Sequence, residues 1–374
     1  MASMEPIDLT YRTMVSELAQ RSLDDAFASD FSIVGRFVAV PVKGRRFWYF
    51  DEPQGGPVQK RRYVGPADDP EIASRVETFK HLKSDARARR KLVSTLVREA
   101  YLPQPDQMTG AIVQALADAG LFRLRGVLVG TTAFQCYSAL LGLRLPEAAM
   151  QTGDTDFAQF HSISAAIDDS LPPMLEVLRT VDVTFREVPH QMDGRSTTAY
   201  VARSGFKVEF LTPNTGSDDH EGKPAAMPAL GGASAVPLRF LDFLILEPVR
   251  AILLHRFGVP LLVPAPERYA VHKMIVAARR RAAGDATAKS HKDLRQAAIL
   301  FEAMAEVRRH ADLAIAWSEA WSRGTAWSDA LRQSLMAYDA RTRDLIRDTL
   351  ASGFEALGEP FGPYASAFPT LASL

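Results

Sequence analysis

Asp154 and Asp156 stand two positions apart in the segment Thr152-Gly153-Asp154-Thr155-Asp156-Phe157-Ala158. Side chains alternate between faces of an extended strand, so this spacing puts both carboxylates on one side, close enough to share or bridge a cation. Glu209 lies in Phe206-Lys207-Val208-Glu209-Phe210-Leu211. There Phe206, Val208 and Phe210 take one face and Glu209 the other, so a neighbouring strand carrying it adds a third acid. Three carboxylates are hard oxygen donors that suit Mg2+ or Mn2+. One cysteine in the chain excludes a thiolate zinc centre that needs several sulfurs. Paired divalent ions roughly 3.5–4 Å apart are a recurrent device for placing attacking and leaving oxygens in phosphoryl transfer.

That chemistry also needs a cradle for phosphates. The apolar run Leu124 to Val129 enters Gly130-Thr131-Thr132, and Ala133 to Leu143 follows at helical spacing. Gly130 lets the backbone approach an anion, both threonine hydroxyls can donate, and the helix presents its positive end there. Each piece has an ordinary use as well: an Asp-x-Asp pair in a solvated turn, a Thr that caps a helix, a Glu on a surface strand. Their order and spacing along the chain set them apart.

In that order the residues resemble the DNA polymerase β-like nucleotidyltransferase superfamily. Its pattern is a Gly-Gly or Gly-Ser turn, a pair of acids about a helix later and a third acid on a subsequent strand. More narrowly, Val129 to Gln135, Thr152 to Ala158, Val208 to Asn214 and Pro266 to Lys273 look like a bacterial family with this fold, the GSU type. Two departures stand out: Thr131 replaces the usual Ser or Gly, and Glu209 replaces the commoner Asp.

The resemblance implies transfer of a nucleoside monophosphate from a nucleoside triphosphate such as ATP to a hydroxyl acceptor, with release of pyrophosphate. Asp154 and Asp156 would bind both metal ions, and Glu209 would complete one site and help deprotonate the acceptor. Gly130, Thr131 and Thr132 would hold the β and γ phosphates. In the resembled superfamily a helical domain closes over the catalytic sheet with lysines reaching the phosphates, which points to Lys273 and Lys292, then Arg279. A solvated basic face with Asp293 pairing nearby is the ordinary alternative for these. The acceptor can be the 3′ end of an RNA such as tRNA, a protein hydroxyl as in toxin-like relatives, or a small molecule. The rival reading is a non-catalytic nucleotide-binding or nucleic-acid-binding regulatory protein.

The elements that must position these residues read as an α/β (α+β) chain with a mixed sheet, in four parts. Residues 1–103 form an N-terminal helical and β-meander domain, 104–216 the catalytic domain, 217–237 a loop rich in Gly, Ser, Ala and Pro, and 238–374 a helical domain. In the first part Phe37 to Val42, Arg45 to Phe50 and Val58 to Val64 read as three strands, and Pro70 to Ala100 as a helix. Arg45, Arg46, Trp48, Tyr49, Lys60, Arg61 and Arg62 alternate basic and aromatic side chains, a pattern that can grip phosphates and stack bases of RNA or DNA. Its ordinary use is a small sheet packed by its aromatics. Lys83, Arg87, Arg89, Arg90 and Lys91 on the helix would extend such a patch.

Bulk properties narrow the setting. The 374 residues carry 44 Lys plus Arg and 44 Asp plus Glu, so no global field draws the chain to a polyanion and any such partner needs a local patch. The N-terminal stretch lacks the unbroken apolar core of a signal peptide. Arg239, Asp242, Glu247, Arg250, His255 and Arg256 interrupt the apolar segment Leu238 to Val263, which reads as a buried helical stretch and not a membrane span. A cytoplasmic protein is the expectation. Cys136 reads as a small core residue, and His220 with Asp218, Asp219 and Glu221 as a hydrated loop cluster.

Overall fold

The computed structural model describes residues 4–24, 35–42, 45–51, 61–146, 148, 153–166, 170–191, 193–214, 223–284 and 287–368. The 218–221 cluster and Lys60 lie outside them. Contacts divide the chain into two compact units: Asp8–Tyr101 with Leu254–Pro260, and Met1–Ile7 with Leu102–Leu253 and Leu261–Leu374.

A two-residue strand, β1 (Glu5–Pro6), opens the larger unit. The smaller unit follows, built from α1 (Leu9–Asp24), β2 (Arg36–Val42), β3 (Arg45–Asp51), β4 (Arg61–Pro66) and α2 (Pro70–Arg98). The three strands form the expected antiparallel meander, with Phe37 opposite Phe50. Phe37, Phe50 and Phe79 of α2 meet edge to face with centroids 5.0–5.7 Å apart. Trp48 shares the face of Phe50, and Arg45 shares that of Tyr49, so the basic and aromatic residues of β3 divide between two sides. Arg89 is no part of an exposed patch. It is 2% exposed, and its Nε donates to Asp85 at 2.9 Å.

The larger unit holds the sheet and the remaining helices. α3 (Gln107–Ala119) starts at Asp106, whose carboxylate accepts from the Thr109 amide at 2.9 Å, and stops at the left-handed Gly120. Then come β5 (Val127–Val129), α4 (Gly130–Leu141), β6 (Leu143–Arg144), β7 (Asp154–Ala158), α5 (His161–Ala166), α6 (Met174–Arg179), β8 (Arg186–Pro189), β9 (Thr197–Val201), β10 (Lys207–Pro213), β11 (Ala225–Ala226) and β12 (Ser234–Leu238). β1 pairs with β6. The main sheet is mixed and runs β11-β12-β10-β7-β5, with β8 and β9 continuing from β10. β10 is parallel to β7 and β12 and antiparallel to β9, while β5 is antiparallel to β7.

Two expectations are corrected. Residues 217–237 were to be a loop, yet Ser234–Leu238 is a strand parallel to β10 and Ala225–Ala226 pairs with it. Its small residues look loop-like in sequence, but Ala233 and Ala235 are fully buried, where a short side chain lets strands pack closely. Leu238 to Val263 was to be helical, but it holds only the short α7 (Leu241–Ile245), followed by β13 (Val249–Leu253) and β14 (Val259–Val263). Left-handed backbone at Arg256 (φ 52°) and Gly258 (φ 85°) turns the chain between the last two strands.

The C-terminal part is the helical layer expected: α8 (Pro266–Ala282), α9 (Thr287–Glu306), α10 (His310–Ser322), α11 (Thr325–Met336), α12 (Ala340–Leu357) and α13 (Gly362–Ala365). None of the helices among the described residues is long and apolar enough to cross a membrane. α10 and α12 meet so closely at Gly353 that a Cβ there would stand 2.3 Å from the His310 carbonyl oxygen. Gly353→Ala should therefore push the helices apart and lower stability by about 1–3 kcal/mol, read from the urea midpoint. An unchanged midpoint would show that the crossing tolerates the methyl group.

Candidate active site

Side-chain alternation makes one face of the sheet core and leaves the other to polar groups. On β7 Thr155 and Phe157 are buried while Asp154 is exposed and Asp156 half-buried; on β10 Val208, Phe210 and Thr212 are buried while Lys207 and Glu209 are half-buried. Phe157 and Phe210 stack with centroids 6.0 Å apart, locking the two strands on the core side. The register sets the polar side. Asp156 lies level with Glu209 of β10 and with Val129 of β5, and Asp154 lies level with Lys207. Residue 129 is the last before the glycine turn, so turn, paired acids and third acid occupy adjacent strand positions.

Gly130 has φ +72°, and a Cβ built on it would come within 3.1 Å of Asp156 Oδ2. Both facts require glycine: the backbone angle is costly for other residues, and any side chain would crowd the carboxylate. α4 begins at Gly130, and its N-cap, Val129, supplies no side-chain acceptor, so no cap competes with a ligand at this positive end. Thr131 is 9% exposed and its hydroxyl accepts from Lys292 Nζ at 3.1 Å. Thr132 is buried among core residues, and its carbonyl accepts from the buried thiol of Cys136.

α8 and α9 supply the cations. Phe134 and Tyr137 of α4 pack against Tyr269 of α8 with centroids 6.0 and 5.2 Å away. The Tyr269 hydroxyl donates to the Gly130 carbonyl at 3.0 Å and lies 3.0 Å from the Gln296 side-chain oxygen. Lys273, one turn further along α8, lies 5.2 Å over the Tyr269 ring, and its ammonium contacts Asp293 at 2.6 Å. Arg280 contacts the other oxygen of Asp293 at 2.5 Å.

Arg279 does not join this group: it is exposed and lies 5.8 Å over Phe240. The residues that composition and motif reading passed over are Tyr269, Arg280 and Gln296. The signal was present for Arg280, because seven residues from Lys273 is two helical turns and therefore the same face. Asp293 enters the sequence reading only as the ordinary pairing partner of that basic face, and the pairing is what the structure holds.

Electrostatics ties the two layers together. Asp156 is pushed up to about 7, by burial first and then by Asp154 and Glu209, while Lys273 and Lys207 pull the other way. Burial and then Lys273 lower Lys292, with Asp293 and Asp154 opposing. His272 is held near 3 by burial, so it is a neutral packing residue of α8 and not another cation.

The donor set fits a hard divalent cation in part. Among the described residues no group of three or more His, Cys, Asp and Glu side chains stands together as a metal cage. Glu209 instead pairs with Lys207 at 2.7 Å. Mg2+ is commonly held by one or two carboxylates with waters and substrate phosphates in its other positions, a demand that Asp154 and Asp156 meet. Burial first and the neighbouring acids second raise Asp156, and a cation there would offset both.

Unfolded, Asp156 would ionise near 3.9, so between that pH and about 7 the fold holds a proton that the unfolded chain releases. Stability attributable to Asp156 therefore falls as pH rises through this window. Without divalent ions, Asp156→Asn should be more stable than the parent at pH 8 by about 4 kcal/mol, and equal to it near pH 3.5. Denaturant titration at both pH values measures this; a pH-independent difference would contradict it.

Comparison with known proteins follows the same part of the molecule. No curated protein and no solved structure matches the chain. A family model described as Nucleotidyltransferase matches residues 107–322, from the start of α3 to the end of α10. That span covers more than half of the chain and includes the glycine turn, the three acids and the cations of α8 and α9. The chain belongs to this nucleotidyltransferase family.

Proposed function

We propose that the chain transfers a nucleoside monophosphate from a nucleoside triphosphate to a hydroxyl acceptor, in a metal-dependent reaction that releases pyrophosphate. The observation that carries this reading is the strand ladder that sets the Gly130 turn, Asp156 and Glu209 side by side beneath Lys273 and Lys292. It agrees with the polymerase β-like pattern read in the sequence. The acids of β7 and β10 and the cations of α8 and α9 flank a glycine turn at which a Cβ would crowd Asp156, and a triphosphate chelating a divalent ion complements both.

Bound Mg2+ or Mn2+ would neutralise phosphate charge and lower the barrier to attack at the α phosphorus. Asp154 and Asp156 would hold it from one strand face. The first amides of α4, with Thr131, would receive the β and γ phosphates, and Lys292 would add its charge there. The acceptor oxygen would bond to the α phosphorus as the bond to the bridging oxygen breaks and pyrophosphate leaves. Glu209 would take the acceptor's proton on release from Lys207. An RNA 3′ end is the acceptor we favour. Arg45 and Arg46 are exposed on the meander, as contact with such a chain would need.

A second reading, a non-catalytic nucleotide binder, draws on the Lys207–Glu209 pair, which occupies the third acid. Incubating the chain with each α-labelled nucleoside triphosphate, Mg2+ or Mn2+, and total cellular RNA or protein separates the two. Transfer of label with pyrophosphate release, reduced about a thousandfold or more in Asp154→Ala/Asp156→Ala, is the expected result. Metal-dependent nucleotide binding without transfer to any acceptor would favour the binder.

A further inference from the structure

Two cations converge on one buried anion between α8 and α9. Asp293 is 0% exposed, with Lys273 Nζ at 2.6 Å from Oδ1 and Arg280 Nη1 at 2.5 Å from Oδ2. Lys292, the residue before Asp293, reaches Thr131 on the glycine turn at 3.1 Å. Three positive charges thus stand against one negative charge, an excess of two. Within this cluster the positive heads outnumber the one carboxylate that spends their donors, so N–H groups are left over for an anion. The strands below carry the reverse: Asp154, Asp156 and Glu209 against Lys207.

The charged heads remain reachable. The side chain of Lys273 is 12% exposed and that of Arg280 36% exposed, so neither is sealed behind Asp293. A guanidinium that spends one N–H on Asp293 keeps others for an anion, and an ammonium has three donors. Lys273 and Arg280 share one face of α8 through their seven-residue spacing, and Tyr269 on that face donates to Gly130. The same helix therefore fixes both the turn and the cations.

We propose that Asp293 is a positioning residue that holds Lys273 and Arg280 as a two-pronged receptor for the terminal phosphates of a polyphosphate chain, with Lys292 on Thr131 as its third contact. The proposal rests on the triphosphate reading above, and it assigns Arg280, not Arg279, to the site.

Titration calorimetry of the full chain with inorganic tripolyphosphate in EDTA, at fixed ionic strength, tests the receptor apart from base, metal and acceptor. Arg280→Gln should weaken binding about tenfold, whereas Arg279→Gln, which removes the same charge from the neighbouring position, should change it less than about twofold. Asp293→Asn separates position from charge by the sign of its effect. If Asp293 acted only as a negative charge, its loss would tighten anion binding; a positioning role predicts weakening of about tenfold. Equal effects of the two arginine changes, or no effect of Arg280→Gln, would overturn the receptor. Tighter binding by Asp293→Asn would overturn the positioning role. Should Asp293→Asn fail to fold, as thermal denaturation would reveal, the comparison of Arg280 with Arg279 still decides whether the receptor exists. Tripolyphosphate binding that behaves as expected in a chain that transfers no label would sink the transferase reading and leave the receptor standing.

Discussion

Asp156 is hydrogen-bonded in register between Val129 and Glu209, and the rest of the site depends on that ladder. Strand pairing brings three stretches separated by dozens of residues to neighbouring positions, and the two-residue period decides which side chains face the same way. A slip of one residue would turn Asp154, Asp156 and Glu209 into the core and bring Thr155 and Val208 out. The stacked Phe157 and Phe210, the buried Val208 and the edge of Tyr200 against Phe210 hold the register from the other side. Core packing on one face thus maintains acid placement on the other.

The ladder gathers acids at a cost. Half-burying Asp156 beside two other carboxylates raises it to about 7, so the fold is poised to take a positive charge at that point. Gly130 permits this crowding because it has no Cβ to press on Asp156 Oδ2. Tyr269 then carries the arrangement from sheet to helices: its ring packs on Phe134 and Tyr137, its hydroxyl reaches the Gly130 carbonyl, and Lys273 lies over its face. Among the described residues Gln296 Nε2 has no hydrogen-bond partner, and turning the amide over would let it donate to the phenol oxygen and leave the phenol proton for Gly130. Strain in the acidic row and order in the cationic layer meet at a single residue.

What the sequence disclosed follows from how local each signal is. The glycine turn, the Asp-x-Asp pair and the alternation around Glu209 are short-range patterns, and each appears where the strand period places it. The meander was legible for the same reason. Ser234–Leu238 was not, because its small side chains resemble a loop until a partner strand buries them. Leu238 to Val263 was misread because apolar content alone does not distinguish a helix from two short strands, and the deciding feature was left-handed backbone at Arg256 and Gly258. Arg89 shows the limit of charge counting: in a run of basic residues, one was buried by a partner four positions away.

The cations were legible only in part, for a related reason. Lys273 and Lys292 stood out through the segments around them, but the group that organises them is Asp293, whose importance comes from contacts on two helices at once. A buried carboxylate is stable only if it is paired, and Asp293 has a cation on each of its two oxygens. The choice between Arg279 and Arg280 likewise turns on helical phase: one step along α8 rotates a side chain by about 100°, enough to move it from Asp293 to Phe240. The helical layer thus does more than supply positive charge. Its turn-by-turn geometry decides which of three consecutive arginines meets Asp293, and that buried carboxylate fixes the choice in place.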